Sequence, residues 1–143
     1  MSPWPAAVAA EPKTLHMLLD ADARLAAAAG GVARFLADEA GLETGALARL
    51  QLAVVDACKE DFKHLSGNHA HLDVAFTRFS DRLEVSLSYQ DEKRPTATPQ
   101  ASESSTAQKG NIKGNSTAFP GVDRIQYETH GKEIITRLTK YFA

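Results

Sequence analysis

The chain has 143 residues, of which 43% are hydrophobic and 24% charged, a balance that excludes a fibrous or wholly disordered protein and suits one domain with one core. A formal net charge of -2 supplies no basic field to gather phosphate backbones, so nucleic acid is not an expected partner. Cys58 is the single cysteine, which excludes an internal disulfide, and no apolar run approaches the ~20 residues of a membrane span, so a cytoplasmic protein without a membrane partner is expected.

Residues 1–13 read as an N-terminal tail and residues 14–143 as a single domain. Ala7-Val8-Ala9 imitates a signal-peptidase site, but no basic segment precedes it and Pro3 and Pro5 interrupt the short apolar stretch, so no signal peptide is expected. Leu15, Met17 and Leu19 then alternate, the pattern of a half-buried strand. From Asp22 the period lengthens. Leu25, Ala28, Ala29, Val32, Phe35 and Leu36 recur at three- and four-residue steps, which predicts a helix ending near Gly41. Gly30-Gly31 lies inside it and costs helix propensity, a sign of weakening there or of a backbone in close approach.

Thr44 is placed to cap a second helix, with Leu47, Leu50, Val54, Cys58, Phe62 and Leu65 on one face and Gly67-Asn68 as its end. Two alternating runs follow, Leu72-Val74-Phe76 and Leu83-Val85-Leu87-Tyr89, and form the clearest hairpin in the chain. Between residues 92 and 117 the composition turns to Pro, Thr, Ser, Gln, Lys and Gly. Such a segment buries too little apolar surface to offset its ordering entropy, and a mobile loop inside the domain is expected. A second hairpin closes the chain, with Ile125 and Tyr127 before a turn at His130-Gly131-Lys132 and Ile134 to Leu138 after it. The order implies a two-layer α/β sandwich: an antiparallel or mixed sheet covered on one face by helices.

Chemistry concentrates on the second helix. Asp56, Glu60 and His64 stand four residues apart, on a stripe away from the Leu47-Val54-Cys58 face; a solvated helix surface would show the same spacing. Asp61 is out of place, since helical spacing sets it beside Val54 and Cys58, where a carboxylate needs a partner or costs stability. Cys58, on the apolar face, reads as an inert core thiol. His69 and His71, beside a turn and without cysteines, read as polar loop residues rather than metal ligands.

The run from Leu50 to His64 resembles the N-box helix of bacterial anti-sigma-factor serine kinases, which have the Bergerat-type, histidine-kinase-like ATPase fold. On this resemblance Asp56 stands at the family's Glu, Glu60 at its magnesium-binding Asn and His64 at its His. Asp91, directly after the Leu83-to-Tyr89 strand, stands at the adenine-binding Asp, while Lys93 and Pro95 occupy positions where the family has glycines. Gly110 and Gly114 are what remains of a glycine-rich segment that would open a phosphate-binding helix, and no such helix is recognisable around them. The Val122-to-Tyr127 strand entry and the turn at Gly131 resemble the family's C-terminal strands.

The resemblance implies ATP and magnesium as cofactors, with Asp56 as catalytic base or water-orienting residue, Glu60 on the metal, and His64, Asp91, Gly110 and Gly114 around the nucleotide. It implies a sigma factor or an anti-sigma-factor antagonist as protein partner, and a homodimer. An amide-to-carboxylate change at Glu60 adds negative charge beside an anionic ligand, although Glu still offers magnesium an oxygen. Two functions are therefore expected from the family side: a degenerate regulatory module that binds its partner with weak or no ATP binding, and an active serine/threonine kinase acting on the antagonist. An unrelated two-layer α/β domain is the third reading.

Overall fold

The computed structural model describes residues 12–65, 70–91 and 120–143. In chain order these form β1 (Lys13–Leu19), α1 (Ala23–Asp38), α2 (Thr44–Phe62), β2 (Leu72–Arg78), β3 (Arg82–Gln90), β4 (Arg124–His130) and β5 (Glu133–Tyr141). The strands make one antiparallel sheet in the order β1-β2-β3-β5-β4, with both helices packed on one face. This is the expected two-layer α/β sandwich, with the sheet antiparallel throughout. The segment 92–117, Gly110, Gly114, His69 and Trp4 lie outside the described residues.

The central hairpin anchors the core because its alternation is strict. Leu72, Val74 and Phe76 on β2 and Leu83, Val85 and Leu87 on β3 are all buried, with Phe76 opposite Val85. Their polar neighbours point to the other face of the sheet. In β5, Leu138 pairs with Val85 of β3 and Ile125 of β4, which extends the core to the far edge. The turn between β4 and β5 is built on Gly131, at φ 65, a conformation in which a Cβ is strained. Burial fades along the edge strand β1: Leu19 is buried and Met17 partly so, but Leu15 is 43% exposed. The expected half-buried strand is therefore half-buried only at its C-terminal end.

The α1 face differs from the expected one. The buried stripe is Ala26, Ala29, Gly30, Ala33 and Ala37, flanked by Leu25, Val32 and Leu36, whereas Ala28 is exposed and Phe35 is 64% exposed. The cause is the closeness of α2. A Cβ on Gly30 would come within 2.5 Å of Val55 Cγ2 and 2.9 Å of the Gln51 carbonyl oxygen, so small residues form the contact and bulk is displaced outward. Of the two explanations for Gly30-Gly31, close backbone approach holds at Gly30; a Cβ on Gly31 meets nothing within 4 Å. Arg34 Nη1 also donates to Gln51 Oε1 at 3.0 Å, tying the helices together near the same level.

The helix ends follow ordinary capping rules with one departure. Asp22 caps α1, its Oδ1 accepting from the Arg24 backbone N–H at 2.8 Å. In α2 the cap position falls on Glu43, without a side-chain cap bond, so Thr44 is the first helical residue and does not take the expected capping role. α2 stops at Phe62, before the Gly67-Asn68 expected to end it. The Lys63 N–H bonds to Glu60 O at 3.2 Å and the His64 N–H to Asp61 O at 2.9 Å, tightening the last turn.

Candidate functional site

The stripe that α2 turns toward the sheet at its C-terminal end is Ala57, Glu60, Asp61 and His64, at steps of three, one and three residues. Opposite them stand Tyr89 at the end of β3, Tyr127 of β4, and Ile134 and Thr136 of β5. Together they line a half-open pocket of about 320 Å³, at the small end of small-molecule sites. The walls follow from register: Thr136 lies opposite Leu87 and Tyr127, and Ile134 opposite Tyr89, so all of these project from the helix-covered face.

Asp61 is the unusual member. It is 9% exposed, and its Oδ2 has no hydrogen-bond partner among the described residues. Burial, helped by the neighbouring Glu60 charge, pushes its carboxyl up to about 7. The same carboxylate adds to the burial that pushes the Cys58 thiol up to about 12, and to the burial that, with a smaller effect from Asp91, pushes the Tyr89 hydroxyl up to about 12. Cys58, fully buried, is the inert core thiol expected.

Of the residues singled out in the sequence, Glu60 and His64 border this pocket. Glu60 Oε1 accepts from Lys63 Nζ at 3.2 Å, while Oε2 lies 4.0 Å from His64 Nε2. The His64 ring stacks on Tyr89, with centroids 6.3 Å apart and planes 7° from parallel. Asp56 is exposed one turn earlier and does not line the pocket. Asp91 also lies outside its lining; it follows β3, donating its backbone N–H to the Lys132 carbonyl at 2.8 Å, and its charge reaches Tyr89. His71 pairs with Asp20 at 3.2 Å and does not line the pocket. Among the described residues no group of three or more His, Cys, Asp or Glu side chains is arranged to hold a metal ion, and no helix is long and apolar enough to cross a membrane.

Sequence reasoning flagged Asp61 as misplaced but did not see the opposite wall. Thr136 carried a signal: between Ile134 and Leu138 it puts a hydroxyl on the helix-facing side of β5, and it is buried. The tyrosines carried none, because Tyr89 and Tyr127 fit the strand alternation as ordinary core residues.

The electrostatics of the pocket favour one sign of guest. Two carboxyl groups face it, and among the described residues that line it none is Lys or Arg. It also sits at the C-terminal end of α2, where the helix dipole presents partial negative charge. Phosphate groups are favoured at the opposite end of a helix. No protein-family model matches the chain, and no curated protein matches it in sequence.

Proposed function

We propose that this chain is a non-catalytic relative of the anti-sigma-factor serine kinases. It works as a regulatory module that binds a protein partner, a sigma factor or an anti-sigma-factor antagonist, in a bacterial partner-switching pathway. The homodimer implied by the resemblance belongs to the same proposal. Support for the family comes from the N-box-like run Leu50–His64, and the order of strand, two helices and two hairpins is compatible with it. The fold by itself is compatible with many functions, so the weight rests on the site.

The observation that carries the non-catalytic reading is the pocket beside the N-box helix, which is lined by Glu60 and by the buried, unpartnered Asp61. ATP with magnesium does not fit it. Phosphoryl transfer depends on positioning and on cationic stabilisation of a triphosphate, and here the described lining residues offer carboxyl groups at a helix C-terminus, with no Lys or Arg among them. Lys93 and Pro95 at the family's glycine positions point the same way. The test is calorimetric titration of the full chain with ATP and a non-hydrolysable analogue, with and without magnesium. No saturable heat is the expected result; micromolar, magnesium-dependent binding overturns the reading in favour of an active kinase.

A further inference from the structure

The pocket between the end of α2 and strands β3, β4 and β5 has the attributes of a binding site for a positively charged group. Asp61 is nine-tenths buried with Oδ2 unpartnered, an arrangement that costs stability unless something supplies a donor. Glu60 adds a second carboxylate at the rim, held by exposed pairs to Lys63 and His64, contacts easily exchanged for a better one. The last-turn carbonyls of α2 add partial negative charge. Tyr89 and Tyr127 supply aromatic surface next to these carboxylates, and Thr136 a hydroxyl. Carboxylate, aromatic ring and helix C-terminus together are what a guanidinium or alkylammonium group seeks: charge-assisted hydrogen bonds in one direction and a ring face in another.

We propose that this pocket binds a guanidinium or alkylammonium group, with Asp61 as the buried counter-charge, Glu60 as the outer acidic contact and the two tyrosines as the aromatic wall. The guanidinium is the better match. Its planar fork bonds a carboxylate in two places while its flat face stacks against a ring, whereas a compact ammonium meets both as a point charge, without fork or planar face. The group arrives either on a small free cation or as an arginine side chain of a protein. The inference uses only the pocket's own residues and stands apart from the family resemblance.

Calorimetric titration of the full chain at pH 8 with agmatine and with N-acetyl-arginine methylamide tests it, the corresponding citrulline amide serving as the uncharged isostere. At least one arginine-type probe is expected to bind saturably, and the citrulline amide at least about tenfold more weakly, the loss expected when a charged hydrogen bond is removed. Tighter binding of agmatine assigns the site to a free cation, and tighter binding of the arginine amide assigns it to a protein side chain. Asp61→Asn keeps the shape and removes the charge, and is expected to weaken the better probe by about tenfold or more while circular dichroism shows the fold retained. Absence of binding by both probes, equal binding of the citrulline amide, or an unchanged affinity in a folded Asp61→Asn protein each overturns the proposal. The citrulline comparison needs no variant, so it holds whether or not Asp61→Asn folds.

Discussion

At Asp61 a single buried carboxyl gives the fold a pH-dependent contribution to stability. Its carboxyl is raised by burial, and secondly by Glu60, from 3.8 to about 7, so the folded chain holds this proton more tightly than the unfolded chain. The contribution to stability is therefore fully present below pH 3.8 and is lost as pH rises toward 7, at up to ~1.4 kcal/mol per pH unit. Asp61→Asn carries no ionisable group and is expected to remove that slope. Melting curves should show little difference between variant and parent near pH 4, and the variant several degrees higher near pH 8. A parent protein whose melting temperature rises steadily from pH 4 to pH 8, with the variant following it in parallel, would contradict the burial of an unpartnered carboxyl at this position.

At the level of elements, the α1–α2 contact decides which substitutions are tolerated. Gly30 and Gly31 are adjacent and chemically identical, yet a Cβ meets Val55 and the Gln51 carbonyl at the first and open space at the second. Gly31→Ala should stabilise by roughly 0.5–1 kcal/mol, the difference in helix propensity, and Gly30→Ala should destabilise by about 1–3 kcal/mol as an overpacked contact. Denaturant unfolding of the two variants checks both signs at once. The same contact explains what was legible. The β2–β3 hairpin could be read residue by residue, because strict alternation admits one buried face. On α1 the sequence offered large residues, Phe35 among them, as the core face, but proximity to α2 selects for small side chains, and the period alone does not report how near a neighbouring helix lies. On α2 the i, i+4 stripe of Asp56, Glu60 and His64 was legible as a polar line. So was its place away from the Leu47-Val54-Cys58 face, with Asp56 in solvent and Asp61 turned inward; the pocket that Glu60, Asp61 and His64 share with the strands was not.

For the whole molecule, the antiparallel order β1-β2-β3-β5-β4 brings the end of α2 opposite Tyr89, Tyr127, Ile134 and Thr136, all more than 25 residues beyond Phe62 in the chain, so no local motif announces the pocket. Its character comes from what converges there: two carboxyl groups, two tyrosine rings and a helix C-terminus. That combination suits a cation better than a triphosphate, and it is the basis of the proposal that the chain is a regulatory binding module instead of a kinase. Amide-resolved NMR of the full chain at pH 8, with magnesium–ATP in one titration and N-acetyl-arginine methylamide in a second, addresses this most directly. The account predicts that the arginine amide shifts the amides of Ala57, Asp61, Tyr89 and Thr136 saturably and that magnesium–ATP leaves them in place. Saturable shifts of those four amides by magnesium–ATP, with none from the arginine amide, would contradict it.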